Sequence, residues 1–535
     1  MPSDRVLIVS CGQKLEASRE ALRQCSRYFD AMFASGMKES SCDEIEMRDI
    51  EPDTLRALID VSEGRPVKVS NDNVDSLLKA GCIFQFEELE RDCTDHLLRT
   101  VCLDNAVETW QKGYVFGARQ LCRGALVTLL SEFEKFVEHA SLASCPRPLL
   151  ERLLSNDTLN VSNENVVRVA AEKWLRANGA SCTVEEVIAV ASRVRRGQLR
   201  KQASAAWCSF VEALLVERDS AVDQWREAMQ SSVTMPPRSI MRPAVAVSVP
   251  AWSCREVSKV CVYMPKKSDE GPFTFHSELP LAGRPEMLLG FVVCSVGKDA
   301  YFLCGEYGIG SGHWNLNVFR WDHMLSKWVE VATLPEPRSH CKPVVVGSLI
   351  HLYGGVGRHR VRLFSVDIYD TSTGLWHRGE TLQEEVAVDQ ASAIVNLNDH
   401  VCIIPACPME GIELMLAAIL PTGMSFAPPV VAIPFSSHKT VIVCRDANRW
   451  YTFHEPRTYS EYSNPRISLQ SLMCGCAVGD GVGFFMENQM SAVLYNFDTD
   501  EQHRLCTGFG KHVLVDGCFG MPYFDVTEPD LLQPR

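Results

Sequence analysis

The strongest constraint on the fold lies in the second half of the chain, where one pattern returns at a nearly fixed interval. An aromatic residue followed six positions later by leucine occurs at Phe273/Leu279, Trp328/Leu334 and Trp376/Leu382, with proline after the first two. Trp328 and Trp376 are 48 residues apart, and so are Asp322 and Asp370. Between these marks Leu303-Cys304-Gly305-Glu306 corresponds to Leu352-Tyr353-Gly354-Gly355, each preceded by a glycine-led turn, at Gly297 and Gly347, and an apolar run. A unit of this length holds several short strands joined by turns. Such a sheet cannot bury both faces alone, so successive units must stack. The region 251–535 holds close to six such periods. Gly305-Glu306 has one glycine of the pair, Ile403-Ile404-Pro405 has neither, and Val478-Gly-Asp-Gly-Val-Gly-Phe-Phe485 and Leu494-Tyr-Asn-Phe-Asp498 are degenerate later copies.

The first hundred residues read differently. Val6-Leu-Ile-Val9 and Lys14-Leu-Glu-Ala17 predict two strands around a turn at Gly12. Ala21, Leu22, Cys25, Phe29, Met32 and Phe33 fall at steps of three and four, which predicts a helix with one apolar face ending at Gly36. Ile45 and Met47 predict a strand, and Pro52 opens a helix carrying Leu55, Leu58 and Ile59. Val67 and Val69 predict one more strand, and Asn71 or Asn73 caps a helix through Val74, Leu77 and Leu78. Strands come first and helices follow.

From about 100 to 230 helical stripes succeed one another without strand alternation. Leu121, Ala125, Leu129, Phe133 and Phe136 share a face, Leu149–Leu154 is a short helix after Pro146 and Pro148, and Ser162 reads as the N-cap of a helix with Val166, Ala170 and Trp174. Ser231, Ser232, Pro236, Pro237, Pro243 and Pro250 mark 231–250 as a linker.

Composition excludes several classes of function. A net charge of -14 disfavours generic binding to nucleic-acid phosphates. The basic cluster Arg193, Arg195, Arg196, Arg200 and Lys201 reads as a solvated helix face. The 22 cysteines include no Cys-x-x-Cys, only the Cys-x-Cys of Cys474 and Cys476, so they read as reduced thiols rather than a zinc site. No secretory signal opens the chain, and the apolar run Leu414–Leu420 stops at Pro421, well short of a membrane span. An intracellular protein is expected, cytoplasmic with the nucleus left open, and without membrane or nucleic-acid partners. Motifs for acyl transfer, phosphate cradling or metal-assisted hydrolysis are missing, which points to a non-enzyme needing neither cofactor nor metal.

Taken together, the residues carry three resemblances. Ser26-x-Tyr28-Phe29-x-x-Met32-Phe33, Ser35-Gly36-Met37-x-Glu39-Ser40, Ile45-x-Met47-x-Asp49-Ile50, Leu77-Leu78-x-Ala80 and Cys93-x-x-x-Leu97 resemble the α/β BTB (POZ) domain over 1–100. Leu153-Leu-Ser-Asn-Asp-Thr-Leu-Asn-Val161, Glu164, Trp174-Leu175 and Val194-Arg195 resemble the all-α BACK domain over 101–230. The repeat of about 48 residues resembles the kelch unit, implying an all-β propeller, of about six blades, over 251–535. This is the domain order of the kelch-like family. The resemblance implies the substrate-recognition adaptor of a Cullin-3 RING E3 ubiquitin ligase. Met37 and Glu39, the hydrophobic-x-Glu motif, would contact Cullin-3, and Arg338 and His340 in Pro337-Arg-Ser-His340 would hold a protein substrate at the propeller rim. A non-ligase scaffold, of the kind that organises actin, is the alternative. The helix that BTB domains exchange on dimerising does not precede Val6, which leaves homodimerisation open.

Overall fold

A computed structural model describes residues 5–34, 42–48, 50–216, 221–233, 235, 238–251, 256–265, 273–379, 381, 393–397, 400–404, 430–436, 439–444, 449–455, 458–463, 472, 474–479, 481–487, 491–506, 509 and 514–524. The chain divides into two compact units, residues 239–523 and the remainder.

The first unit opens with a hairpin of β1 (Arg5–Ser10) and β2 (Gln13–Ser18), turned through Cys11 and Gly12, both at positive φ. Strand β3 (Glu44–Glu46) lies parallel to β1. Helices α1 (Arg19–Cys25) and α2 (Arg27–Ala34) meet at Ser26, whose hydroxyl accepts from the Phe29 amide at 3.1 Å and donates to the Phe84 carbonyl at 2.6 Å. That places Phe29, fully buried, among Phe33, Phe84 and Phe86. The serine–phenylalanine motif is therefore a packing device. Helices α3 (Pro52–Ser62), α4 (Val74–Ile83) and α5 (Glu87–Thr100) complete this part. Val67 and Val69 do not form the expected strand. Both are half-buried beside the exposed Lys68, so the alternation is present, but no strand among the described residues pairs with them.

Eight helices follow among the described residues: α6 (Ala106–Phe116), α7 (Arg119–Ser131), α8 (Phe133–Glu138), α9 (Arg147–Ser155), α10 (Glu164–Asn178), α11 (Val184–Ala191), α12 (Lys201–Leu215) and α13 (Ala221–Val233). The cap of α10 is Asn163 rather than Ser162. Its side chain accepts from the Asn165 amide at 3.1 Å. Helices α6 and α7 approach so closely at Gly113 that a Cβ there would lie 2.8 Å from the Cys122 sulfur. Arg238 ends the unit with its guanidinium sealed inside it, on Glu164 at 2.9 and 3.1 Å and on the Asn156 and Arg193 carbonyls. Arg195, in the basic cluster, is likewise buried on Asp157.

The second unit is built of antiparallel sheets. One combines β4 (Met241–Val249), β5 (Lys259–Met264) and β6 (Thr274–Glu278) with the last strand of the chain, β27 (Leu514–Pro522), in the order β27-β4-β5-β6. The stretch read as a linker thus ends inside this sheet. Its Pro243 pairs only with β27, beyond the reach of β5, where a missing amide costs no second ladder bond. After the short β7 (Leu288–Leu289) the next sheet has β8 (Val292–Val296), β9 (Asp299–Leu303), β11 (Asn317–Asp322) and β12 (Lys327–Thr333), with β10 (Glu306–Tyr307) paired to β7. Then come β13 (Lys342–Val346), β14 (Leu349–Tyr353), β15 (Val366–Asp370) and β16 (Leu375–Arg378). Strands β17 (Ala393–Leu397) and β18 (His400–Ile404) pair, as do β19 (Val430–Ser436) to β22 (Thr458–Ser463) and β23 (Cys474–Gly479) to β26 (Glu501–Cys506), each group in chain order. The first strands of these groups neighbour one another as β8, β13, β17, β19, β23 and β27, and β27 returns to β8. The sheets therefore close a ring, the arrangement of a β-propeller, with the N- and C-terminal strands sharing one sheet.

The 48-residue register has a local cause. Trp328 faces Trp321 across β11 and β12, as Trp376 faces Tyr369 across β15 and β16. Asp322 accepts from the Met324 and Leu325 amides, both at 2.9 Å, and Asp370 from Ser372. Hydrogen bonds from Ser372 hold the Asp370 carboxyl down at about 2. Asn496 makes the same turn with Asp498 and Thr499, so a degenerate copy keeps the turn while changing the residue.

Candidate functional site

In an antiparallel sheet the end of the second strand, the start of the third and the start of the first lie at one edge. Residues 304–316, 334–341 and 354–365 are loops of this kind, and backbone hydrogen bonds tie them together. Gly305 donates to the Arg338 carbonyl at 3.0 Å, Val356 to Ser339 at 2.8 Å, and His340 to Gly290 at 2.8 Å. The rim is thus a connected surface rather than a set of separate loops.

Glycine chemistry shapes it. Gly354 and Gly355 both take positive φ, and their structural counterparts are Cys304 and Gly305. The glycine lost from the earlier repeat is therefore the first of the pair, replaced by Cys304, and Gly305 matches Gly355 instead of Gly354. A Cβ on Gly355 would lie 2.6 Å from the Ser339 carbonyl oxygen, so the second glycine is fixed by close approach.

Arg338 does not present its charge to a partner. It is fully buried, and Nη1 donates to the carbonyls of Leu352, Gly354 and Ser365 at 3.2–3.3 Å. Nη2 donates to the Ser365 hydroxyl at 3.1 Å and pairs with Asp367. Asp367 also takes Arg378 at 2.7 Å, and Arg378 reaches Glu336 at 3.3 Å. The arginine read from sequence as a substrate contact is a clamp between the 334–341 loop and the β14–β15 sheet. Its neighbour His340 is half-buried at φ 55, its ring against Gly290. Met37 and Glu39 lie outside the described residues.

The rim also holds a feature that the sequence reading passed over. Arg358, His359, Arg360, Val361 and Arg362 are exposed in succession. Among the described residues no carboxylate meets any of the three guanidiniums. The loop is held in one shape: Gly357 donates to the Val361 carbonyl at 2.9 Å, Val356 bridges both Ser339 and Arg362, and His359 and Arg360 both sit at positive φ. Adjacent left-handed residues other than glycine are costly and need such surroundings. Beside them the Arg360 Cδ would lie 3.9 Å from a Cβ on Gly310, next to Ile309, which is 73% exposed. The surface joins fixed positive charge to an apolar contact. Four basic residues in five, in a chain of net charge -14, were the available signal.

In the first unit, His139 bonds Ser141 at 2.7 Å and Asp104 at 3.0 Å, an apparent nucleophile–base–acid chain. Asp104 is 86% exposed, and His139 also accepts from the Ser141 amide, so the arrangement caps the turn Ala140–Leu142. No helix among the described residues is long and apolar enough to cross a membrane.

Comparison with known proteins matches these parts in order. The BTB/POZ domain family matches residues 2–100, the family described as BTB And C-terminal Kelch (BACK) matches 106–206, and the Kelch motif matches 337–383. Kelch repeat and BTB domain-containing protein 2 of Homo sapiens and of Pongo abelii are each 28% identical over 205 residues, 38% of this chain and 33% of theirs. Kelch repeat and BTB domain-containing protein A55 of Vaccinia virus (strain Western Reserve) is 23% identical over 180 residues, 34% of this chain and 32% of its own. The matched region thus spans about a third of the length of these curated relatives. With a helical N-terminal unit and a ring of sheets after it, the chain carries a BTB, a BACK and a Kelch domain in that order.

Proposed function

We propose that the chain is the substrate-recognition adaptor of a Cullin-3 RING ubiquitin ligase, cytoplasmic, with BTB and BACK joining the ligase and a propeller of six blades holding a protein substrate. The observation that supports this reading most is the domain order, a docking module, a helical module and a ring whose rim carries an exposed basic loop. No bond chemistry is asked of the chain itself. Holding a lysine near a loaded enzyme raises its effective concentration, and that is the whole catalytic contribution. Met37 supplies an apolar anchor and Glu39 an orienting charge for Cullin-3. His340 and the Arg358–Arg362 loop face the substrate, and Arg338 holds the loop beside them.

Two sets of variants separate the two ends. Met37→Ala with Glu39→Ala is expected to lose Cullin-3 in co-precipitation while keeping substrates found by proximity labelling. Arg358→Glu with Arg360→Glu is expected to do the opposite. Equal recovery of Cullin-3 by wild type and the first double variant, or none by either, would refute the adaptor reading and leave a scaffold.

A further inference from the structure

The ring closes where β27, the last strand, lies between β4 of its own sheet and β23 of the neighbouring one. Three thiols face each other across that seam. Cys474 and Cys476 are two apart on β23, hence on one face of it, and Cys518 is on β27. The Cys518 and Cys474 sulfurs are 2.8 Å apart, against 3.5 Å for Cys304 and Cys341, the pair in the core between two other sheets. All three seam cysteines are partly accessible, whereas Cys304 and Cys341 are buried. The backbones also press together here: a Cβ on Gly520 would lie 2.7 Å from the Ala477 carbonyl oxygen. The Cys474–Cys518 sulfurs are thus within about 0.8 Å of the ~2.05 Å of a disulfide bond.

We propose that Cys474 and Cys518 form a reversible disulfide under peroxide, a staple that locks the C-terminal strand into the ring. Cys474, as thiolate, attacks one peroxide oxygen; the O–O bond breaks, hydroxide leaves as water, and the sulfur becomes a sulfenic acid. Cys518 then gives up its proton and attacks that sulfur, the S–O bond breaks, and a second water departs. Two thiols lose two electrons and one peroxide becomes two waters. Burial pushes the Cys518 thiol well above its ordinary range, which makes it a poor attacker of peroxide in solution and leaves the first step to Cys474; the 2.8 Å approach of the two sulfurs is what brings Cys518 to the second. The bond ties β27 to β23 and so fixes the one strand that the distant end of the chain contributes to the first sheet.

The test uses the full reduced chain treated with hydrogen peroxide, alkylated and mapped by mass spectrometry without reduction. The expected result is a peptide pair joined through Cys474 and Cys518, released by dithiothreitol, with the melting midpoint of the oxidised protein higher by a few degrees. Cys518→Ser should lose both the link and the shift, and Cys476→Ser should keep them. Should Cys518→Ser fold poorly, the wild-type peptide map decides by itself. A Cys476–Cys518 link, separate sulfinic acids with no link, or a link that leaves the midpoint unchanged would overturn the proposal.

Discussion

Two neighbouring rim loops are rich in basic residues and use them in opposite ways. In the 334–341 loop the guanidinium of Arg338 is turned inward, with no exposed surface and bonds to three carbonyls, a hydroxyl and a carboxylate. In the 354–365 loop Arg358, Arg360 and Arg362 point outward and meet no carboxylate among the described residues. The difference has a structural origin. Arg338 lies where β14 and β15 end, within reach of the carbonyls of Leu352, Gly354 and Ser365 and of the Asp367 carboxylate. The second loop has satisfied its own backbone through the Gly357–Val361 and Val356 bonds, so its side chains have nothing internal to do. The rim thus separates buried, bonded charge from exposed charge within about twenty residues of chain.

The comparison breaks most sharply at Arg338. Arg338→Ala leaves Asp367, 2% exposed, with Arg378 as its cation and takes the guanidinium donor from the carbonyls of Leu352, Gly354 and Ser365. The expected loss is about 3–5 kcal/mol, since removing one partner strands a buried charge. Arg338→Lys should recover little, because one ammonium cannot reach acceptors spread in a plane. Arg358→Ala or Arg360→Ala should each stay within about 0.5 kcal/mol of wild type. Urea unfolding of the full chain, following the strand-rich transition by circular dichroism, reads both. Equal losses at Arg338 and Arg358 would remove the distinction.

Glycine supplies a second, smaller contrast. Gly355→Ala drives a methyl toward the Ser339 carbonyl, where 2.6 Å is available, and also strains φ at 93°. A cost of about 2–3 kcal/mol is expected. Gly347→Ala meets nothing within 4 Å and strains φ alone, so about 1 kcal/mol is expected in the same measurement. The excess at Gly355 measures how firmly the two rim loops are pressed together.

Much of this architecture was legible in the residues. The aromatic at a 48-residue step reported real cross-strand pairs, Trp321 with Trp328 and Tyr369 with Trp376, and Asp322 and Asp370 reported the turns between those strands. The Ser26–Phe29 motif reported a capped, buried helix start. What stayed hidden depends on contacts distant in sequence. Whether an arginine after Leu-Pro points in or out is decided by carbonyls 14 to 27 residues further on, which spacing cannot show. Val67 and Val69 alternate as a strand does, yet a strand also needs a neighbour, and none pairs with them among the described residues, which is a tertiary fact. Pro243 reads as a linker residue until β27, from the far end of the chain, arrives beside it.

The smallest effect sharpens the contact side of the comparison. His359 sits at φ 57 and ψ 23, and Arg360 follows at φ 59, so the basic loop carries two left-handed residues where glycine would be at ease. His359→Gly removes that strain, roughly 1 kcal/mol, but frees the unfolded chain, which offsets about half of it. A net gain near 0.5 kcal/mol is expected. Binding should move the other way, because a looser turn no longer holds Arg358, Arg360 and Arg362 in one arrangement, and ordering them then falls on the encounter with the partner. Urea midpoints and the recovery of rim-dependent partners, measured on the same protein, would show stability rising while capture falls. If both rise, the left-handed pair is incidental to binding; if capture falls at unchanged stability, the His359 side chain itself is the contact.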